Sequence, residues 1–235
     1  MKRRRRKKKK HVFRTLLLLA AGAVMALAGW YLTPTTALED IPVYQGTAYV
    51  ELDRNQPDFS AEEKIAGAFE DYAPLDYLGR CGAAYANVCQ ELMPTSPRED
   101  ISAVKPSGWK QHFYDFVDGG ALWNRCHLIG FQLTGENANE RNLITGTRYM
   151  NTEGMLPFEN MVADYVRETG NHVLYRVTPL FAGMELVARG VQMEAWSVED
   201  GGDGICFNVF VFNVQPGIEI DYATGENWLA EEGAA

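Results

Sequence analysis

The stretch Asn124-Arg125-Cys126-His127-Leu128-Ile129-Gly130 is the most informative part of this sequence, and three polar positions follow it. They are Asn142, which opens Asn142-Leu143-Ile144-Thr145, then Asn151, and then Glu159. This places an imidazole, amides, a carboxylate and a guanidinium within 36 residues. Metal-assisted hydrolysis of a phosphodiester needs such a set: a neutral base, an oxygen ligand for a metal ion and a cation for the phosphate.

His127 and Arg125 are the two residues whose chemistry is most directly connected. A neutral imidazole is the side chain best suited to take a proton from water near neutral pH. In an extended backbone, positions 125 and 127 project to the same face, so the guanidinium could hold the phosphate that an activated water attacks. The alternatives are a packed structural histidine and an arginine in a structural or surface ion pair.

Asn151, Asn142 and Glu159 also have structural alternatives. The amide oxygen of Asn151 could bind a hard cation such as Mg²⁺, which keeps most of its waters and needs few protein ligands. Asparagine is also common at helix caps and in loops, which would account for Asn151 and Asn142. Glu159 falls in the first turn of a predicted helix, where the helix dipole favours a carboxylate in any case.

The N-terminus has the features of an export signal. Nine of the first ten residues are Lys or Arg, Arg14 adds a tenth basic residue, and residues 16–32 are uncharged and apolar. A basic flank before an apolar run is typical of such signals, and the basic side stays in the cytoplasm. The length of the run and Trp30-Tyr31 favour an uncleaved anchor in the membrane, while Ala26-Leu27-Ala28 fits a signal-peptide cleavage site.

These features predict three segments. Residues 1–33 form a signal-anchor or signal peptide, residues 34–46 a linker, and residues 47–235 one domain with a single sizeable core. We expect this domain at the extracellular face of the cell membrane, held there through residues 16–32, or secreted if the leader is cleaved.

The charge of the exported part argues against broad electrostatic capture of nucleic acid. The chain has 22 Lys and Arg against 31 Asp and Glu, and ten of the basic residues lie in the leader. The remainder therefore has 12 basic and 31 acidic residues, a net charge of −19 with His neutral. A polyanion site on such a body must be a local basic patch or must depend on metal ions.

The four cysteines predict disulfide bonds, because an even number in an exported chain usually forms pairs. They are Cys81, Cys89, Cys126 and Cys206. Three pairings are possible for four cysteines, and the sequence does not choose among them. A zinc site is disfavoured because the chain contains no CxxC pair.

The chain pattern predicts an α+β domain with a central antiparallel β-sheet flanked by helices. Alternating or β-branched runs predict strands at Thr47–Leu52, Trp109–Val117, Ala121–Cys126, Val173–Phe181, Leu186–Trp196 and Ile205–Val214. Asp118-Gly119-Gly120 reads as the turn between the second and third of these. Residues 71–108 are rich in Gly, Pro and Cys and read as an irregular region.

Two segments are predicted to be helices. Ser60–Ala68 has a capping box, with Ser60 at the N-cap and Glu63 three residues later. Leu156–Thr169 has Pro157 at the first position and Gly170 after its end. Its predicted apolar face comprises Phe158, Met161, Val162, Tyr165 and Val166.

The order and spacing of the polar motifs resemble the DNA/RNA non-specific endonucleases, which are ββα-metal enzymes. The pattern is Asn-Arg-x-His, then Asn-Leu-Ile-Thr, then Asn151 nine residues after Asn142, and Glu159 eight residues later. The resemblance is strongest to the Gram-positive branch of DNA-entry nucleases and streptococcal secreted DNases, and it extends over about residues 47–222. Four further stretches are similar to that branch: Leu78–Gly82, Leu143–Asn151, Gly154–Asn160 and Val214–Gly217.

The resemblance implies a ββα-metal finger as the active site and a role for each position. His127 is the implied general base and Asn151 the direct ligand of a single Mg²⁺. Glu159 is implied to hold one of the waters of the metal ion, and Asn142 to orient the site or those waters. The implied reaction cleaves DNA, and RNA as well, to 5′-phosphorylated oligonucleotides, and whether Mn²⁺ substitutes is left open.

The resemblance also implies that Arg125 and Arg148 contact the substrate. One departure concerns the motif itself, because the family reads Asp-Arg-Gly-His where this chain has Asn124-Arg125-Cys126-His127. Without a carboxylate at position 124, the group that orients His127 is an open question.

The sequence is also compatible with two other functions. A non-catalytic cell-surface module that binds nucleic acid on the same fold would need neither His127 nor Asn151. A surface interaction domain would use the acidic body itself. The sequence identifies no protein partner.

Overall fold

The computed structural model describes residues 36–65 and 67–231, and the structural statements below concern those residues. The predicted leader lies outside them, and the proposed division into leader, linker and domain stays a prediction. In the part of the chain that is described, no helix combines the length and the apolar character that crossing a bilayer requires.

A six-stranded antiparallel sheet is the largest element of the domain. In chain order the strands are β1 (Tyr49–Glu51), β2 (Phe69–Tyr72), β3 (Ala84–Val88), β4 (Trp123–His127), β5 (Leu143–Thr147), β6 (Val173–Leu180), β7 (Gly190–Ser197), β8 (Cys206–Phe212), β9 (Ile218–Ile220) and β10 (Asn227–Leu229). The large sheet has the order β1-β8-β7-β6-β3-β2, and β4-β5 and β9-β10 form separate antiparallel pairs. The helices are α1 (Phe131–Thr134) and α2 (Leu156–Thr169). The predicted α+β class with a central antiparallel sheet is confirmed.

The central strands β6, β7 and β8 are buried along most of their length because both faces of the sheet are covered. On one face Phe158 of α2 packs against Phe207, with ring centroids 4.9 Å apart. On the other face, a buried ion pair joins Arg176 and Glu194 at 2.8 Å, and the backbone N–H of Asp58 donates to Glu194 at 2.9 Å. Continuous apolar runs are typical of strands covered on both sides.

The pair β4-β5 and the helix α2 form the ββα unit that the resemblance implied. His127 lies at the end of β4 opposite Leu143 of β5. A π-helical turn at Met150–Met155 leads from β5 into α2, closed by a hydrogen bond from the N–H of Leu156 to the carbonyl of Asn151. Pro157 has no N–H for the regular helical bond four residues back, which accounts for an irregular turn directly before it.

Buried amide and hydroxyl groups fasten the ββα unit to the large sheet. The side chain of Asn213 accepts a hydrogen bond from the N–H of Thr147 at 2.9 Å and donates to the carbonyl of Thr145 at 3.0 Å. The Thr147 hydroxyl donates to the carbonyl of Val214 at 2.6 Å. Gly154 lets the π-helical turn approach the sheet, since a Cβ there would lie 2.3 Å from a methyl of Val211. These contacts hold the ββα unit in a fixed position on the large sheet.

The helix prediction for Leu156–Thr169 is confirmed, and Gly170 ends the helix with φ of 74°. Its buried face differs in one respect, because Met161 is 49% exposed while Ala163 is buried. The helix predicted at Ser60–Ala68 is wrong, although its capping box forms: Ser60 N–H donates to Glu63 at 2.7 Å, and Glu63 N–H to the Ser60 hydroxyl at 3.3 Å. The described residues of this segment make a single turn.

Two regions differ from the predicted strands. Residues 71–108, read as irregular, contain β3 and the end of β2. Residues 109–117 are not a strand, although Phe113 forms a single bridge to Ala121. The strand β4 pairs instead with β5, because that pairing buries Cys126 and Ile144 in the main core.

The prediction of disulfides is wrong for this structure, since all four cysteines are free. Their sulfur atoms have separate surroundings. The Cys81 thiol donates to the carbonyls of Glu140 and Leu143, both at 3.3 Å, and Cys126 packs under Gly146. Cys206 lies at the edge of the core, near the carbonyl of Asn55.

Candidate active site

A cleft of about 410 Å³ opens beside β4 and the start of α2. It brings together five of the predicted site residues: Arg125, His127, Arg148, Asn151 and Glu159. The full lining comprises Arg98, Ile101, Gln111, Ala121, Trp123, Asn124, Arg125, His127, Gly130, Phe131, Arg148, Asn151, Leu156 and Glu159. The predicted site residue that does not line the cleft is Asn142.

The ring of His127 is held in a defined orientation by the loop that follows α1. Its Nε2 atom donates to the carbonyl of Asn137 at 2.8 Å, so Nδ1 is the unprotonated, basic nitrogen of the neutral ring. Burial lowers the pKa of His127 to about 4; the Asn137 carbonyl acts in the opposite direction, and the charge of Arg98 lowers it further. His127 is therefore neutral at pH 7 and able to accept a proton at Nδ1.

Arg98 is a site residue that sequence reasoning missed. An Nη atom of Arg98 lies 3.4 Å from Nδ1 of His127. Its positive charge also opposes the raised pKa of Glu159. In the sequence it stands in Pro97-Arg98-Glu99-Asp100, a polar stretch in a segment without periodicity. Nothing in that pattern separates it from a solvated surface arginine.

Glu159 lies on the first turn of α2, and its carboxylate sits directly over Gly130. A Cβ at Gly130 would lie 2.6 Å from Oε2 and 2.9 Å from Oε1 of Glu159, so the absence of a side chain there makes the space for the carboxylate. Burial raises the pKa of Glu159 to about 7, with Arg98 acting in the opposite direction. The carboxylate takes part in no hydrogen bond with any described residue.

Asn151 lies in the π-helical turn and lines the cleft with its side chain half-buried. Irregular π-helical turns are frequent at functional sites because they redirect a side chain from the regular helix surface. The Asn151 side-chain amide has no hydrogen-bond partner among the described residues. Its oxygen is therefore available to a ligand in the cleft.

Arg125 shares the cleft face with His127, as the alternation along β4 predicted. Its guanidinium donates from Nη2 to the carbonyl of Ser102 at 2.7 Å and from Nε to the carbonyl of Val104. It also stacks on the ring of Trp109, with Cζ 4.2 Å from the centroid. These contacts hold the loop at residues 102–109 against β4.

Arg148 and Asn124 lie together on another part of the wall. Arg148 is paired with Asp118 at 2.6 Å, and its Nη1 lies 3.4 Å from the Asn124 side-chain oxygen. The residue at the position of the usual carboxylate is thus beside Arg148. The described contact that orients His127 comes from Asn137 instead. The imidazole of His127 is therefore held in place although position 124 has no carboxylate.

Asn142 is fully buried behind the cleft. Its side-chain oxygen accepts a hydrogen bond from the N–H of Ile129 at 2.9 Å, and its nitrogen donates to the carbonyl of Ile129 at 3.0 Å. Its own carbonyl accepts from Leu128 at 2.8 Å. Asn142 therefore fixes the backbone between His127 and Gly130 and makes no direct contact with the cleft.

The donor set fits a hard divalent cation with few protein ligands. Within residues 36–65 and 67–231, no group of three or more His, Cys, Asp or Glu is placed to hold a metal ion. The cleft instead offers one amide oxygen, at Asn151, and one carboxylate, at Glu159, neither of which has a hydrogen-bond partner among the described residues. Oxygen donors with most positions left to water are what Mg²⁺ favours.

Two solved structures are similar to this chain over most of their length. NucA from Streptococcus agalactiae, solved with a magnesium ion bound, is 28% identical, with a TM-score of 0.71, covering 83% of this chain and 92% of that one. The Sda1 nuclease with a bound zinc ion is 26% identical, with a TM-score of 0.66, covering 78% of this chain and 97% of that one. The fold and the cleft thus define a protein of the ββα-metal class, whose members hydrolyse nucleic acids.

The chain belongs to the DNA/RNA non-specific endonuclease family, whose model matches residues 60–199. A curated relative, a deoxyribonuclease from Streptococcus dysgalactiae subsp. equisimilis, is 27% identical over 210 residues. That alignment covers 71% of this chain and 62% of the relative, so the chain spans less than two thirds of the relative's length.

Proposed function

We propose that this protein is an extracellular, sequence-non-specific endonuclease that hydrolyses DNA, and RNA as well, with Mg²⁺. The products are oligonucleotides with 5′-phosphates. The observation that carries the proposal is the neutral His127 ring, which holds Nδ1 toward a cleft that also contains arginines and two oxygen donors, those of Asn151 and Glu159, without hydrogen-bond partners among the described residues. This combination supports hydrolysis rather than binding alone.

In this proposal His127 removes a proton from the attacking water at Nδ1, while the carbonyl of Asn137 keeps the ring from rotating. Arg98 lies beside the same nitrogen and is placed to contact the phosphate that the water attacks. Arg125 and Arg148 line the same cleft and would contact neighbouring phosphates. Contacts to phosphates carry little sequence information, which supports non-specific cleavage.

Asn151 and Glu159 are the residues that would hold the cation, Asn151 through its amide oxygen and Glu159 through a water. When bound, Mg²⁺ supplies positive charge that stabilises the phosphate and the leaving 3′ oxygen. The magnesium-bound NucA structure supports Mg²⁺ as the natural ion, and the zinc in Sda1 supports some tolerance of other divalent ions. Mn²⁺ is a further candidate.

The extracellular location is inferred from the leader and from relatives. Two solved structures similar in fold are named as an extracellular endonuclease and an extracellular nuclease. The basic and apolar N-terminal residues favour attachment at the outer face of the membrane, or secretion if the leader is cleaved.

The proposal is tested by the cleavage of plasmid DNA and of structured RNA with Mg²⁺, with Mn²⁺ and with EDTA. We expect cleavage with Mg²⁺, none with EDTA, and nearly complete loss in His127→Ala. His172→Ala is the matched control, since His172 makes a surface pair with Glu199 and lies outside the cleft. A His127→Ala protein that is folded and cleaves at the wild-type rate would contradict the proposal.

A further inference from the structure

Phe113 is an exposed aromatic residue on a hairpin that forms one wall of the cleft. The two arms, residues 111–114 and 120–123, are joined by backbone bonds from Tyr114 to Gly120 at 2.8 Å and from Leu122 to His112 at 3.1 Å. Phe113 pairs with Ala121 in an antiparallel bridge. Because Ala121 lines the cleft, Phe113 lies at its rim.

The alternation of side chains along the first arm sets the direction of Phe113. The His112 ring contacts the carbonyl of Asn227 at 3.0 Å, and the Tyr114 hydroxyl donates to the Asn227 side chain at 2.8 Å. Both therefore point away from the cleft, toward β10. Gln111 points the other way and lines the cleft. Because the arm is extended, the side chain of Phe113, two residues further on, projects to the same side as that of Gln111.

The ring of Phe113 is left open to solvent. It is 74% exposed, and it is stacked on no other ring among the described residues. A single exposed phenylalanine is ordinary on a protein surface. Phe113 differs from such a residue because it lies beside a cleft with three arginines. Proteins that bind single-stranded nucleic acid stack unpaired bases on aromatic rings next to a groove that binds the phosphates.

Electrostatic attraction between the cleft and a nucleic acid is limited, so stacking on Phe113 can contribute to substrate affinity. Arg148 is paired with Asp118, and two groups of the Arg125 guanidinium are occupied by backbone carbonyls. The exported part of the chain has 31 acidic and 12 basic residues, which opposes long-range attraction of a polyanion. Stacking does not depend on net charge, so it can add affinity where electrostatic attraction is weak.

We propose that Phe113 is a stacking platform for an unpaired base of the strand bound in the cleft, and that it gives the enzyme a preference for single-stranded substrates. The inference rests on the proposed nuclease function and adds a substrate class to it. In a duplex the faces of the bases are already stacked on their neighbours, so they are not available to the Phe113 ring. In a single strand a base can turn outward onto the ring while its phosphates stay with the arginines.

The test compares kcat and KM of the full chain with Mg²⁺ on three substrates: an oligo-dT strand, the same strand annealed to its complement, and a strand of equal length with abasic sites. The variants are Phe113→Ala, Phe113→Tyr and the control Tyr77→Ala, which removes another ring, 80% exposed and outside the cleft. Phe113→Ala should raise KM for oligo-dT about tenfold with kcat unchanged. It should leave the duplex and abasic strands nearly unaffected, and Phe113→Tyr and Tyr77→Ala should behave as wild type.

An unchanged KM for oligo-dT in Phe113→Ala, or an equal loss on all three substrates, would overturn the inference while leaving the nuclease function intact. If the wild-type chain cleaves none of the substrates, the proposed function fails instead. In that case the stacking role of Phe113 is still tested by measuring substrate binding in EDTA with fluorescence anisotropy. The Phe113→Ala variant should lose the preference for binding oligo-dT over the abasic strand. Phe113→Leu serves as a second variant if Phe113→Ala does not fold.

Discussion

Nδ1 of His127 lies 3.4 Å from a guanidinium nitrogen of Arg98, while its Nε2 donates to the carbonyl of Asn137 at 2.8 Å. A cation beside the unprotonated Nδ1 disfavours protonation of the ring, in addition to the effect of burial. The same arginine lies close enough to Glu159 to favour its ionised form. Arg98 thus favours the neutral base and the ionised carboxylate, the combination that the proposed reaction needs, although burial still raises the pKa of Glu159 to about 7.

The first prediction concerns the pH dependence of cleavage. His127 must be neutral to act, and its pKa is lowered to about 4. At saturating Mg²⁺ the cation favours the ionised form of Glu159, whose pKa in the metal-free protein is raised to about 7, so kcat/KM should fall only as the pH approaches the pKa of His127. Replacing Arg98 by Gln removes a nearby positive charge, so the pKa of His127 should rise. The acid limb of the profile, where kcat/KM falls as the pH is lowered, should therefore move to higher pH. Arg98→Gln should also lower kcat/KM by about tenfold or more through the lost phosphate contact.

The measurement is a profile of kcat/KM against pH at saturating Mg²⁺ for wild type, Arg98→Gln and Arg98→Lys. Arg98→Lys keeps the charge and should leave the acid limb close to its wild-type position. An acid limb at the same pH in wild type and Arg98→Gln would show that the charge of Arg98 does not act on the base.

The second prediction concerns the stability of the metal-free protein. The pKa of Glu159 is raised from 4.5 to about 7, so the folded state holds a proton that the unfolded state has released between those values. The resulting stabilisation of the folded state is complete below about pH 4.5 and is lost as the pH rises through about 7. Glu159→Gln removes this charge and should stabilise the protein in EDTA by about 1–3 kcal/mol at pH 8.5, with little effect at pH 4.5.

Chemical denaturation of wild type and Glu159→Gln in EDTA at both pH values measures this difference. Glu153→Gln is the control, because Glu153 is exposed and lies in the neighbouring turn. A Glu159→Gln protein that is no more stable than wild type at pH 8.5 would mean that the carboxylate is adequately solvated in the folded state. The same variant should lose most Mg²⁺-dependent cleavage, since the carboxylate is proposed to hold a water of the cation.

The sequence predicted the parts of the site that lie on regular elements. His127 and Arg125 were placed on one face because β4 is a strand, and Glu159 was placed in the first turn of α2 because Pro157 and Gly170 mark the ends of that helix. The residue types and their spacing also indicated the family. Those features depend on local backbone geometry, which a single sequence can show.

The parts that escaped prediction depend on distant contacts. Arg98 and the carbonyl of Asn137 come from loops whose position follows from the packing of the whole domain. The capping box at Ser60 predicted a helix, but Glu63 also pairs with Arg176 at 3.5 Å across the sheet, and the segment makes one turn only. The even number of cysteines predicted pairing, whereas all four thiols are free in the structure.

The third prediction concerns these thiols. Because all four are free, a reducing agent should leave the melting temperature unchanged, and a thiol reagent in denaturant should titrate four cysteines. In the native protein Cys81, Cys89 and Cys126 are buried, so only Cys206 should react, and slowly, because burial raises its thiol pKa. Fewer than four thiols in denaturant without reductant would reveal a disulfide.

The last prediction separates a structural residue from a chemical one. Asn142 is fully buried and satisfies both the N–H and the carbonyl of Ile129. Asn142→Ala would leave two buried backbone groups without partners, and each such loss costs about 1–3 kcal/mol, so the variant should be destabilised by about 2–6 kcal/mol. The backbone that carries His127 would then be less well held, so kcat should fall even well below the melting temperature.

Binding of Mg²⁺ distinguishes this role from a place in the metal site. Calorimetric titration of folded Asn142→Ala should give an affinity for Mg²⁺ within about threefold of wild type, because the side chain makes no contact with the cleft. Asn151→Ala should abolish that binding without a comparable loss of stability, since its amide has no partner among the described residues. Asn139→Ala, in the same loop as Asn142 and half-buried, controls for the loss of an amide that bonds only its own loop. Loss of Mg²⁺ binding in a stable Asn142→Ala protein would move Asn142 from the framework into the metal site.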